Sequence, residues 1–252
     1  MQINKIYNEN CLDTMSRMPD EFIDLTVTSP PYDNLRTYNG YSFDFESIAK
    51  ELYRVTKQGG VLVWIVGDAT IKGSETGTSL KQALYFKDIG FNLHDTMIWE
   101  KHSFNHDYRR ARYKQYFEFM FILSKCKPKT YNEIKDVPIK NAGKIIKSSK
   151  RLPNGTMRDY GYIKLNDFQA RSNIWKINSE NKPLHPAPFP EKLANDHIIS
   201  WSNEGDLIYD CFMGSGTTAK MAISNNRNWI GSEISLDYCH IINERIKQTK
   251  LL

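Results

Sequence analysis

The sequence predicts an α/β protein built on a mainly parallel sheet. Short apolar runs rich in β-branched and aromatic residues alternate with amphipathic runs of helical spacing, the pattern of strands joined by crossover helices. The run "VLVWIVGD" (61–68) is apolar at odd and even positions alike, as a strand covered on both faces must be. The composition agrees: 252 residues, 40% hydrophobic and 25% charged, enough for one large domain or a domain with a small insertion.

The elements follow in order. "DLTVT" (24–28) reads as a buried strand, and "SPPY" stops it. A Pro-Pro pair fixes φ and removes two backbone donors, so it can neither extend a strand nor enter a helix interior; read alone, it is a stiff turn. "FDFESIAKELYRVTK" (43–57) has helical spacing, with Gly59-Gly60 as the expected C-terminal stop. Strand 61–68 follows, then the helix "SLKQALYFKDIG" (79–90) and the strands "DTMIWEK" and "YFEFMFILSK". Proline opens the helix "PEKLANDHIISWS" (190–202). The end of the chain reads strand "DLIYDCF", helix "GTTAKMAISNN", strand "NWIGSEI" and helix "LDYCHIINERIKQ".

Residues 125–171 break the pattern. They lack clear periodicity and hold twelve Lys and Arg against four Asp and Glu, a local charge of +8 in a chain of net charge +5. The expected organisation is therefore 1–124, a basic insertion 125–171, and 172–252 returning to the main domain. A mild excess of positive charge permits an anionic partner. The four cysteines are scattered, with no paired spacing, so free thiols in a reducing compartment are expected and neither disulfides nor a metal site. No run approaches the ~18 apolar residues of a membrane span, and no export signal is visible.

The stretch "DLIYDCFMGSGTT" (206–218) ends a strand at Asp210 and opens a helix through a Gly-Ser-Gly turn. Such a turn lets the backbone approach a ligand where helix N–H groups favour a carboxylate or phosphate. Glu233 lies at the end of the next strand, where an acid accepts both hydroxyls of a ribose. No Gly-Lys-Ser/Thr follows, so this is not a P-loop, and Ala219 stands where nicotinamide binders have a third glycine. A ligand with ribose, adenine and a zwitterionic tail fits what is left: S-adenosyl-L-methionine.

"TSPPY" together with "DCFMGSGTT" resembles the DNA amino-methyltransferases, whose catalytic motif is (Asp/Asn/Ser)-Pro-Pro-(Tyr/Phe) and whose cofactor motif is Asp-Pro-Phe-x-Gly-Ser-Gly-Thr-Thr. The catalytic motif comes first here, which resembles the beta group, of the kind found in type II restriction-modification. Cys211 departs from the usual proline. The resemblance implies a Rossmann-like S-adenosylmethionine-dependent methyltransferase fold with circularly permuted motif order and helices on both faces. It places Ser29, Pro30, Pro31 and Tyr32 at catalysis. It places Asn10, Thr28, Asp210, Phe212, Gly214, Ser215, Gly216, Thr217 and Glu233 at the cofactor, with His185, Pro186 and Phe189 of "HPAPFPEKL" beside its methionine end. The insertion 125–171 falls where the group carries its target-recognition region.

The chemistry explains the prolines. An exocyclic amine is a poor nucleophile because its lone pair is delocalised into the ring. Two acceptors, the Ser29 side chain and the Pro30 carbonyl, would draw the nitrogen toward an incoming methyl, and the prolines fix that carbonyl in advance. Tyr32 offers a stacking face for a flipped base. Serine in the first motif position looks more like the cytosine-N4 enzymes; adenine-N6 is the alternative, and a non-catalytic S-adenosylmethionine-binding module or an RNA amine methyltransferase are the rivals beyond it. Arg36 and Tyr38, after the motif, are expected at DNA with Arg109, Arg110 and Arg112 of "HDYRRARYK" and with Lys144, Lys147, Lys150 and Arg151 of the insertion. The expected partner is double-stranded DNA, with a cognate restriction endonuclease and a homodimer also allowed and no membrane. The expected location is cytoplasmic, at the nucleoid.

Overall fold

The computed structural model describes residues 1–31, 43–101, 112–178 and 189–249. In chain order the first elements are β1 (Lys5–Tyr7), α1 (Cys11–Ser16), β2 (Ile23–Thr28), α2 (Phe45–Val55), β3 (Thr56–Val66), β4 (Thr70–Ile71), β5 (Ser74–Glu75) and α3 (Thr78–Asp88). Next come β6 (Asn92–Glu100), β7 (Phe117–Ser124), β8 (Lys135–Pro138), β9 (Ile145–Arg151), β10 (Met157–Lys164), β11 (Phe168–Ala170) and β12 (Ile174–Lys176). The last are α4 (Glu191–Trp201), β13 (Leu207–Asp210), α5 (Thr217–Ser224), β14 (Asn228–Ser232) and α6 (Leu236–Thr249). No helix among the described residues is long and apolar enough to cross a membrane.

The chain divides into two compact units, Met1–Asn132 with Asn173–Leu252, and Glu133–Ser172. The first holds an eight-stranded sheet in the order β1-β14-β13-β2-β3-β7-β6-β12. Its strands run parallel except at β7, which is antiparallel to β3 and β6. Three helices cover each face. Val61, Val63 and Ile65 of β3 pack in one core with residues of α4, α5 and α6. Leu62, Trp64 and Val66 pack in the other with residues of α1, α2 and α3. That double covering is why the run 61–68 is apolar throughout. The buried Trp64 indole donates to Gln82 Oε1 at 2.8 Å; left unpaired, that donor would cost about 1–3 kcal/mol.

The crossovers diverge at the centre of this sheet. From β2 the chain passes through α2 to β3 on one side, and from β13 through α5 to β14 on the other. β2 and β13 are neighbours, so their carboxyl ends flank a topological switch point, where open α/β sheets form a ligand crevice.

Two local expectations change. Gly59 and Gly60 do not cap α2: Thr56 is already extended, and both glycines lie inside β3. They serve close approach instead. A Cβ at Gly59 would lie 2.8 Å from the Lys129 Cβ, and one at Gly60 would lie 2.8 Å from the Thr56 Cγ2. The second change is the start of the basic unit, at Glu133 rather than Lys125. Residues 125–132 are tied to the main unit: Gly59 N–H donates to the Lys125 carbonyl at 2.6 Å and Asn132 N–H to the Ser200 carbonyl at 2.8 Å. The basic unit has structure of its own, a β9–β10 hairpin and a β8–β11 pair, both antiparallel.

Candidate active site

The site is built from the ends of β2 and β13. Ser29, Pro30 and Pro31 continue directly from β2, with Pro30 buried and its neighbours half-buried. The Gly-rich turn continues from β13. A knot of hydroxyls ties the two together. Thr28 Oγ1 donates to Asp210 Oδ1 at 2.7 Å across 182 positions of sequence. Thr218 Oγ1 donates to Asp210 Oδ2 at 2.7 Å and lies 3.3 Å from the Val27 carbonyl. Phe212 N–H donates to Asp210 Oδ1 at 3.0 Å. Burial raises the Asp210 carboxyl to about 6, against the lowering effect of these three donors. Thr28 and Asp210, both expected at the cofactor, are buried and spend their side chains on each other, so in this structure they brace the edge.

The turn itself depends on glycine. Gly216 caps α5 at φ 83°, in the left-handed region, and makes no side-chain capping bond. A Cβ there would meet the Ile242 Cγ1 at 3.0 Å. Arg245 holds the turn from α6, donating to the Ser215 carbonyl at 2.9 Å and reaching the Ser215 and Thr217 hydroxyl oxygens at 3.3 Å. Its other nitrogen pairs with Glu191 at 2.5 Å. Nothing in the sequence spacing marks Arg245, or Asn8, whose amide donates to the Glu233 and Ile234 carbonyls at 2.9 and 3.0 Å. Thr218 did carry a signal, as the second threonine of the Gly-Thr-Thr run.

Glu233 follows β14, half-buried. Its Oε2 accepts Gly214 N–H at 2.8 Å and its Oε1 accepts Ser235 N–H at 2.9 Å. Burial raises this carboxyl and the two backbone donors lower it. Each oxygen keeps a further lone pair, enough for one ribose hydroxyl apiece. Phe212, in the same turn as Gly214, is half-buried, edge-on to Phe43 at 5.7 Å and to Trp64 at 6.3 Å. The uncapped first turn of α5 offers N–H groups to a carboxylate. A ribose, an aromatic ring and a charged amino-acid tail therefore find matching groups, and S-adenosylmethionine fits the residues present.

The other expected residues distribute as follows. The Asn10 side chain caps α1, accepting Leu12 N–H at 2.9 Å. Phe189 packs against the core that holds α4, α5 and α6. Arg112 pairs with Glu75 at 3.3 Å and with the Gly73 carbonyl, so it ties down the β4–β5 turn. Lys144, Lys147, Lys150 and Arg151 are exposed, on β9 or just before it. Tyr32, Arg36, Tyr38, Arg109, Arg110, His185 and Pro186 lie outside the described residues.

The chain is similar to known proteins. The family described as DNA methylase, of N6 and N4 methyltransferases, matches residues 23–244. The orphan methyltransferase M.BamHII of Bacillus amyloliquefaciens is 59% identical over 241 residues, covering 91% of each chain. Among solved structures, the PvuII DNA methyltransferase (cytosine-N4-specific) superposes with a TM-score of 0.72 at 22% identity, over 97% of this chain and 86% of that one. A DNA modification methylase from Thermus thermophilus, complexed with S-adenosylmethionine, gives 0.67 at 22% identity over 97% and 93%. The chain therefore belongs to the DNA methylase family, as a beta-group, S-adenosylmethionine-dependent DNA amino-methyltransferase of the N4-cytosine or N6-adenine type.

Proposed function

We propose that the chain methylates the N4 amine of cytosine at specific sites in duplex DNA, with the target base flipped out of the stack. The observation that carries this reading is the Thr28–Asp210 hydrogen bond. It holds the Ser29-Pro30-Pro31 segment against the Gly-rich turn, so amine acceptors and cofactor site share one sheet edge. The Ser29 side chain and the Pro30 carbonyl take the two amino hydrogens and orient the nitrogen lone pair away from the ring. Pro30 and Pro31 hold that carbonyl in place, so its alignment costs nothing at the moment of reaction. When bound, S-adenosylmethionine supplies the electrophilic methyl. Glu233 would hold its ribose, Phe212 its adenine, and the first turn of α5 its carboxylate. Tyr32 stacks on the extruded base, a contact of about 1–3 kcal/mol. Serine rather than aspartate at position 29 supports cytosine over adenine.

The test is to incubate the protein with isotopically labelled cofactor and a mixed-sequence duplex, digest to nucleosides and identify the labelled one. N4-methyl-2′-deoxycytidine is the expected product. Label in N6-methyl-2′-deoxyadenosine would replace the substrate in this reading, and label in neither would remove it.

A further inference from the structure

We infer that the β9–β10 ribbon is inserted in the major groove of the duplex, with the face that carries Lys150 and Arg158 toward the base edges. This rests on the chain acting on duplex DNA, and is indifferent to which base is methylated.

The charge comes first. The unit Glu133–Ser172 holds nine Lys and Arg against four Asp and Glu, a net +5 that equals the charge of the whole chain. The remaining residues are neutral in sum. Within the two strands of the ribbon there are five basic residues and one acid. Nearly every residue of both strands is exposed, including Tyr160 at 49% and Ile163 at 40%. A two-stranded ribbon in water is marginal by itself, and exposed aromatic rings between cations are the composition of a nucleic-acid surface.

The dimensions select the groove. Seven residue pairs join the strands, a ribbon ~23 Å long at ~3.4 Å per residue. With side chains on both faces it is ~10 Å thick. That fits the major groove, ~12 Å wide, and not the minor groove, ~6 Å wide.

The pairing selects the face. Lys147 shares a face with Asp159 and is paired to it at 3.1 Å. The other face sets Lys150 directly opposite Arg158. Like charges at facing positions repel, and an anionic partner relieves that repulsion. A register shift between Asp159 and Gly161 makes Tyr160 an extra residue, as in a bulge that re-aims a side chain. Its ring lies 5.4 Å from the Arg158 guanidinium. A guanidinium restrained beside a ring is prepared for a two-pronged contact with a guanine edge.

The experiment uses the full chain and a pool of randomised duplexes. Binding is read across a salt series, methylated sites are read by sequencing, and cofactor affinity is read by calorimetry to show that each variant is folded. Arg158→Ala is expected to lose about 10- to 100-fold on the parent's preferred sites and to broaden the site spectrum. Arg158→Lys should broaden the spectrum with the salt slope retained. Lys150→Ala should lower the salt slope by about 1. Ser149→Ala, on the face shared with Asp159, should stay within about twofold of the parent, as an exposed substitution that removes no charge. A duplex whose cytosines carry a glucosyl group projecting into the major groove should bind at least about tenfold more weakly. The inference is overturned if Arg158→Ala and Lys150→Ala keep the parent's spectrum and slope, if Ser149→Ala matches their losses, if the glucosylated duplex binds like the plain one, or if the parent binds no duplex. Methylation of adenine would sink the cytosine reading and leave this one standing.

Discussion

Asp210 shows how one side chain can matter to a reaction from a buried place. Its carboxylate receives Thr28, Thr218 and the Phe212 N–H, and so joins the strand that leads to Ser29 with the Gly-rich turn. Because both hydroxyls lower the raised carboxyl, Thr218→Ala should move its titration midpoint further up from about 6, measured as the pH dependence of stability relative to Thr218→Ala/Asp210→Asn. A midpoint that stays or falls would mean the hydroxyls are spectators. Glu233 is exposed to a sharper test. Glu233→Ala strands two backbone donors and deletes the ribose contact, and charged hydrogen bonds contribute about 1.5–3 kcal/mol each. Calorimetry should therefore show cofactor binding weakened roughly 10- to 100-fold, with Glu233→Gln intermediate; unchanged affinity in a folded Glu233→Ala would remove this role. For Tyr32, Tyr32→Phe should keep most of the methylation rate, and Tyr32→Ala should lose about 10- to 100-fold from the stacking magnitude. Single-turnover rates on duplex DNA decide it, and an unmodified rate for Tyr32→Ala reduces the tyrosine to a turn residue.

At the scale of elements, the Gly-rich turn and α5 are held from outside by α6. Gly216 needs its left-handed φ of 83° and the space beside Ile242. Gly216→Ala should therefore cost about 1–3 kcal/mol from backbone strain, read by urea denaturation, and should lower cofactor affinity in parallel. Arg245 contributes the other restraint, through the carbonyl of Ser215. The strand–helix alternation was legible in the sequence because each main element carries its own periodicity. The basic hairpin was not, since its strands bury neither face and so have no alternation to read. Its signal was in the turn: Pro153-Asn154-Gly155, where Gly155 adopts φ 83° and donates to the Leu152 carbonyl at 2.9 Å, as turn chemistry at those residues demands. The Gly59-Gly60 stop misled for the opposite reason. Glycine signals a helix end or a close backbone approach equally well, and only the neighbouring Lys129 and Thr56 tell them apart. In the site, the motif residues announced themselves through their spacing. Asn8 and Arg245 did not, because their partners are distant in the chain.

At the scale of the whole molecule, two buried groups oppose each other in the pH dependence of stability. Asp210 has a folded value of about 6 against roughly 3.9 unfolded. It favours the fold fully below about pH 4, and that contribution, on the order of 3 kcal/mol, is lost as pH rises through about 6. His197, stacked on Trp175 at 4.6 Å, is pushed down to about 3 by burial. It stays neutral in the fold and charges when unfolded, so its contribution is full above about pH 6.5 and lost as pH falls toward 3. The windows overlap between about pH 4 and 6, where the two slopes have opposite sign. Asp210→Asn should therefore make stability climb with pH across that range, and His197→Phe should make it fall. Chemical denaturation at stepped pH checks both, and parallel curves for the two variants would contradict the assignment.

The pairing of β2 with β13 also has a consequence in time. On a ribosome adding about 5–20 residues per second, the 182 positions between Thr28 and Asp210 take on the order of 10–40 s to appear. β3 follows β2 after a single helix and can pair with it early, but the opposite edge of β2, which pairs at Leu25 and Thr26, must wait for β13. The nascent chain thus carries an unpaired apolar strand edge, open to pairing with other chains, through most of its synthesis. The bond that assembles the active site is also among the last that the growing polypeptide can make.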